Sequence, residues 1–360
     1  MSSSTDIPPP SASSDMPDWC VDHVDSPYCD DVEGHYQYDI SLPANAVFLA
    51  IFSLSLLLYL ATFAIKRTGL AFTVAMVLGS ICEILGYAGR VMGHLNRFDM
   101  NGFLIQICCL TIGPAFMAAG IYLCLRRIVY VFGKEGSRIK PEMYTRIFIP
   151  CDVISLILQA AGGGIASVAS QNDDYDGVTM GDNIMIAGLS FQVFTLFCFS
   201  AISVDFALRT RRRIKSLGEG SALEQDPEFA KVRKSFMFRG FLCALALATL
   251  CILIRSVFRV AELSKGWSGP IMGNQAMFIG FEGALIVVAV LVLNVFHPAV
   301  CFKKVFEGQG GIGWGNKGKG NKVKGGDMSV YEGQRDGTGT GGSASESGAV
   351  EKASAKGIAV

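Results

Sequence analysis

Across 360 residues the chain is 51% hydrophobic and only 17% charged, with a mean hydropathy of +0.40. That balance is too apolar for an ordinary soluble domain and places the chain in the membrane class. Lys plus Arg and Asp plus Glu each number 31, so the formal net charge is zero, but the charges are strongly segregated along the chain.

Residues 1–43 open with a Ser/Pro stretch and continue through an acidic segment containing Asp18, Asp22, Asp25, Asp30, Asp31 and Glu33. This segment reads as a largely disordered tail outside the cytosol. No cleavable signal peptide precedes the first apolar run, so the first helix is expected to act as its own insertion signal. Cys20 and Cys29 both lie in this tail, on the oxidising side, and a disulfide between them is expected. The other nine cysteines sit in or beside apolar segments, where a small soft side chain packs unpaired.

Seven apolar segments follow, at about 44–65, 70–92, 102–125, 147–170, 184–206, 237–260 and 274–297. Each is long enough to cross the ~30 Å hydrocarbon slab at ~1.5 Å per residue. No water in that slab can satisfy exposed backbone groups, so the segments must be helices. The expected fold is therefore an all-α bundle of seven transmembrane helices spanning 44–300. Of the 31 Lys and Arg, 26 fall in the connections at Lys66–Arg67, Arg126–Arg146 and Arg209–Arg239 or after residue 300. Only Arg97 and Lys265 fall in the opposite connections. Retention of basic loops in the cytosol then predicts N-terminus outside, C-terminus cytosolic. Residues 301–360, rich in Gly, Lys and Ser, read as a disordered cytosolic tail, with Lys303 and Lys304 able to rest on anionic headgroups.

Soluble-enzyme motifs are missing. Gly313–Lys319 has phosphate-loop spacing, but Gly320 stands where a Ser or Thr would bind magnesium, so no nucleotide is expected. There is no H-E-x-x-H, no G-x-S-x-G and no paired CxxC, so neither an enzyme, a metal site nor a cofactor is expected. The acidic run with Asp173, Asp174, Asp176 and Asp182 lacks calcium-loop spacing and reads as solvated. The basic run Arg209–Lys215 is a topology signal rather than a nucleic-acid site, and Asp205 reads as a local partner for Arg209 and Arg211.

What remains is a set of polar side chains inside the helices, each costly unless paired or facing water. Glu83 and Arg90 share one face of the second segment, and Asp152, Ser155 and Gln159 form a stripe in the fourth, followed by Gly162, Gly163 and Gly164. Arg255, Arg259 and Glu262 form a stripe in the sixth. Gln275, Glu282 and Asn294 mark the seventh, with Gln106 and Gln192 in the third and fifth. These groups either bond across helices simply to fix the bundle, or line a polar path that accepts a charged headgroup while acyl chains lie on apolar faces.

Six ordered blocks carry a resemblance: EILGYAGR from Glu83, GPAFMAAGIYLCLRRIV from Gly113, DVISLILQAAGGGIAS from Asp152, GL..Q ending at Gln192, IRSVFRVAE from Ile254 and NVFHP from Asn294. Over about 45–302 the chain resembles the fungal lipid-translocating exporter family, RTA-like seven-helix membrane proteins of the sphingoid base exporter kind. The resemblance implies export or flipping of sphingoid long-chain bases, phospholipids or lipid-like toxic compounds across the plasma membrane, with membrane lipids as partners and a link to drug or stress resistance. Carried over by position, the path candidates are Glu83, Arg90, Asp152, Gln159, Gln192, Arg255, Arg259 and Glu262, with Glu282 added from the chain itself. The seventh helix departs from the family: Gln275 and Glu282 stand where an early Glu and a later Asp are usual, and Ala299 replaces the Gly after His-Pro. A seven-helix receptor or lipid sensor is the alternative, although no D-R-Y-like end closes the third helix and no N-P-x-x-Y lies in the seventh.

Overall fold

The computed structural model describes residues 16–24, 26–29, 38–172, 174–218, 223, 227–264 and 273–301. No strand occurs among them. Seven helices are long and apolar enough to cross a membrane: α1 (Leu42–Lys66), α2 (Leu70–Leu95), α3 (Met100–Phe132), α4 (Pro141–Gln171), α5 (Tyr175–Leu217), α6 (Phe236–Leu263) and α7 (Gln275–Cys301). The chain is a multi-pass membrane protein.

Most helices run past the limits that hydropathy marks. The apolar run ends where hydrocarbon ends, whereas the helix ends where its orphan N–H and C=O groups find partners. Asp99 caps α3 by accepting from the Asn101 and Gly102 amides, and Asp174 caps α5 by accepting from Gly177 N–H. Part of the acidic run read as solvated loop is thus the start of α5. At ~1.5 Å per residue, the 43 residues of α5 exceed twice the ~30 Å hydrocarbon thickness, so the helix is longer than the slab it crosses. Between α1 and α2 the chain turns through Gly69 at φ 77°, a left-handed conformation that glycine adopts without a Cβ clash.

The helices pack in chain order as a closed ring, α7 meeting both α6 and α1. Inside it, α3 is the most buried, touching α2, α4 and α6. The other helices turn leucines, isoleucines, valines and phenylalanines outward, among them Leu57, Ile157, Phe194 and Val295, as a lipid-facing shell requires. Close approach of α4 and α5 depends on a glycine pair. A Cβ on Gly162 would lie 2.5 Å from Met185 N, and one on Gly181 would lie 2.5 Å from Ala166 N. Of the three consecutive glycines in α4, only Gly162 serves this contact; a Cβ on Gly164 would meet nothing.

Two features depart from a plain helix bundle. Within α7, Phe278–Ala284 is wound as a π-helix, and the helix breaks at His297–Pro298, where His297 Nδ1 accepts from Ala299 N–H. The N-terminal segment expected to lack order contains a short helix, Met16–Asp22, and a turn, Pro27–Cys29. Cys20 and Cys29 are joined as a disulfide with a Cα–Cα distance of 5.8 Å. This knot packs on Phe98, and the α2–α3 turn binds it twice, Asn96 Nδ2 donating to Val21 O and Arg97 to Cys29 O. The ends of α2 and α3 near the knot define a disulfide face, and the opposite ends an arginine-rich face. The candidate phosphate loop, Lys265, Lys303, Lys304 and the tail 301–360 lie outside the described residues, apart from Cys301.

Candidate functional site

The expected path residues do not form one line. They divide into two buried clusters on either side of α3, whose membrane stretch from Met100 to Leu125 carries no charged residue.

The first cluster joins α2, α6 and α7 in the half nearer the disulfide face. Stripe spacing on α6 puts Arg255, Arg259 and Glu262 on one side, and the π-turn of α7 turns Glu282 toward them. Arg255 donates to Glu282 Oε1 and to the Leu110 carbonyl of α3. Arg259 Nη1 donates to Glu262 Oε2 at 2.6 Å, and its Nε stands 3.9 Å from Glu282 Oε2. All four side chains are buried, so each ion offsets the desolvation of its neighbour. Glu83 and Arg90, expected to act together, diverge. Arg90 turns toward α1, donating to Asn45 Oδ1 at 2.9 Å and Tyr38 OH at 3.0 Å, with its guanidinium 3.8 Å from the Phe278 ring centroid. Glu83 lies against α3, where a Cβ on Gly113 would come within 2.8 Å of its Oε1.

The second cluster joins α3, α4 and α5. Asp152 Oδ2 accepts from Tyr122 OH at 2.9 Å, and Oδ1 stands 3.1 Å from Thr195 Oγ1, whose single proton is shared with the Gln192 carbonyl of its own helix at 2.8 Å. Asp152 is 4% exposed and forms no ion pair among the described residues. Two turns along α4, Gln159 Nε2 donates to Gln192 Oε1 at 3.0 Å, leaving Gln159 Oε1 without a partner.

Beneath Asp152 lies a cavity of about 570 Å³ between α3, α5 and α6 in the arginine-rich half. Its walls include Ile121, Leu125, Phe199 and Leu245. Ser200, Ser203 and Thr249 also line it, but each donates to a carbonyl of its own helix, so the lining behaves as apolar. Val204 and Leu250, 57% and 52% exposed, lie on its outer wall and open it sideways as a groove. Thr210 and Arg211 border its end toward the arginine-rich face. The inner end meets the Phe199 ring, 4.4 Å from that of Tyr122, the residue that holds Asp152. The apolar slot therefore ends at an aromatic layer, Phe199 against Tyr122, and the hydroxyl of Tyr122 reaches the carboxylate beyond it.

A family model described as RTA1 like protein matches residues 76–305, from α2 through the described end of α7. The chain belongs to the RTA1-like family. Among its RTA1-like relatives in Saccharomyces cerevisiae, the sphingoid long-chain base transporter RSB1 is 34% identical over 251 residues, covering 64% of this chain and 65% of that protein. Protein RTM1 and protoporphyrin uptake protein 1 are each 28% identical, over 232 and 230 residues, covering 64% of this chain and 68% of each relative. The chain thus spans about two thirds of the length of these relatives. No solved structure matches it.

Every block that carried the resemblance lies in the RTA1-like helices, yet several residues that define the clusters were not singled out. Tyr122 and Thr195 hold Asp152, and Tyr87, Asn45 and Tyr38 surround the first cluster. A hydroxyl in an apolar helix must find a partner, which was the available signal for Tyr122; its partner could be named only in three dimensions. Gln275 donates to Asp39 O, outside both clusters. Asp205 pairs with Arg209 at 3.0 Å as expected and with Arg138 at 2.8 Å, whereas Arg211 stands at the groove.

Proposed function

We propose that this chain moves amphipathic lipids across the membrane, sphingoid long-chain bases foremost, with the alkyl chain in the α3–α5–α6 groove and the cationic headgroup drawn to Asp152. The observation that carries this reading is the adjacency of an apolar, sideways-open groove to a buried carboxylate that has hydroxyl partners but no cation. An ammonium group would supply the missing countercharge, which a buried carboxylate strongly favours. The long chain would replace lipid contacts with groove contacts at little cost. Relatives named as a sphingoid base transporter and a protoporphyrin uptake protein support an amphipathic substrate.

The arginine asymmetry and the Cys20–Cys29 bond support an N-terminus outside the cytosol; export across the plasma membrane is the direction that the family resemblance implies. The charge pairs of the first cluster neutralise one another, so they support a structural or coupling role rather than headgroup binding.

The test is flux of a fluorescent sphingoid base in vesicles containing the purified chain alone. A transporter moves the lipid without a partner protein, whereas a receptor or lipid sensor binds it and moves nothing. Loss of a charge-assisted contact of about 1.5–3 kcal/mol predicts that Asp152→Asn lowers flux roughly tenfold or more. Undiminished flux in a folded Asp152→Asn protein would remove the carboxylate from the path.

A further inference from the structure

The groove and Asp152 leave the first cluster without a role in binding, and its hydrogen bonding is unbalanced. It contains three carboxylates, Glu83, Glu262 and Glu282, and three guanidiniums, Arg90, Arg255 and Arg259. Arg259 is committed to Glu262, Arg255 to Glu282, and Arg90 to Asn45, Tyr38 and the Phe278 face. Glu83 is therefore a carboxylate without an ion pair among the described residues, although it is only 1% exposed.

Three buried oxygens in this cluster have no hydrogen-bond partner: Glu83 Oε1, Glu282 Oε2 and the Tyr87 hydroxyl. Arg255 and Glu282 both interact electrostatically with Glu83. The titratable and charged groups facing them are Cys82, Tyr87 and Arg90 from α2, Cys109 from α3, Arg255, Arg259 and Glu262 from α6, and Tyr38 before α1. From α1, Phe52 stacks on Tyr87 and Phe48 meets it at a tilt, and neither adds charge.

We propose that Glu83 is an exchangeable proton site whose deprotonation draws Arg255 off Glu282, so that one proton decides whether Arg255 of α6 is paired to α7 or to α2. In the arrangement described, the Glu83 carboxyl keeps its proton and Arg255 serves Glu282. Release of that proton to water leaves a second buried anion beside the same guanidinium, and Arg255 turns to it while Glu282 keeps its longer contact with Arg259. One Arg255–carboxylate pair exists before and after, which is what a two-state element with a small energy gap requires. The π-turn at Phe278–Ala284 supplies the slack on α7. Arg255 also holds the Leu110 carbonyl of α3 and lies two residues from Leu253, which lines the groove. A change of partner at Arg255 therefore shifts α6 against α3 along two walls of the groove. The inference rests on the transport reading for its purpose but not for its chemistry.

Infrared difference spectra of the full chain in lipid nanodiscs, recorded against pH without substrate, read the carboxylic-acid carbonyl band directly. A titrating band in the wild type that disappears in Glu83→Gln, or shifts in Glu83→Asp if the first variant does not fold, is the expected result. In vesicles, sphingoid base flux should change several-fold on imposing a pH gradient, and Glu83→Gln should flatten that response under identical substrate conditions. Flux without any titrating carboxyl, or a titrating band that persists unchanged in Glu83→Gln, overturns the switch and leaves transport standing. A Glu83 band in a protein that moves no lipid supports the switch and removes transport.

Discussion

At the scale of single residues, buried charge separates into two kinds. Arg259 and Glu262 satisfy one another at 2.6 Å, so removing one partner strands the other in an apolar core. Arg259→Met alone is expected to destabilise the protein by about 3–5 kcal/mol. Replacing Glu262 with Met as well should recover most of that loss; thermal unfolding in detergent of the two single variants and the double variant tests the pairing. Asp152 is the other kind, a carboxylate steadied only by hydroxyls. Tyr122→Phe removes one of them at a cost of about 1 kcal/mol, small enough that the protein still folds. The expected signature is a near-normal unfolding temperature with altered affinity for a sphingoid base, measured by binding in nanodiscs. Residue identity alone could not separate the two kinds. Glu83 and Arg90 stand on one helical face seven residues apart, yet each is claimed by a different neighbouring helix, because seven residues span more than a side chain can reach while α1 and α3 each pack directly on α2.

At the scale of elements, small residues and breaks decide how close helices come. Gly162 and Gly181 face each other across α4 and α5 with backbone atoms where any Cβ would sit. Gly162→Val is therefore expected to part the two helices and separate Asp152 from Thr195, seen as loss of folded protein on size-exclusion chromatography. Gly164→Val, against open space, should leave the profile unchanged. The groove makes an element-level prediction of its own. Ala246 lies in its wall on α6, and Ala246→Trp should occupy the slot without touching either polar cluster. Flux should fall at least several-fold with little change in unfolding temperature; unchanged flux would place the alkyl chain elsewhere. Helix existence was legible from apolar run length, but helix ends were not, because capping by Asp99 and Asp174 extends α3 and α5 past the apolar signal.

At the scale of the whole molecule, the proposed orientation predicts that a tag before the disulfide knot is reached by antibody in intact cells, while one after residue 360 is reached only once the membrane is opened. The reverse result would invalidate the charge-based topology. The all-α, seven-helix character was legible in the order of residues alone, because a hydrocarbon slab admits one spanning backbone for apolar runs of that length, and the ordered blocks pointed to the family. The sequence also supplied nearly every polar residue of interest, because ionisable groups in such runs are few. Which of them meet depends on how the helices pack in three dimensions. That packing split one expected path into a cluster crossed by ion pairs, with Glu83 outside them, and a second cluster around Asp152, and it placed the apolar groove beside the second. That groove is made of residues from three helices, each of them an ordinary apolar or small polar side chain in sequence, and hydropathy cannot distinguish a leucine that faces lipid from one that lines a slot.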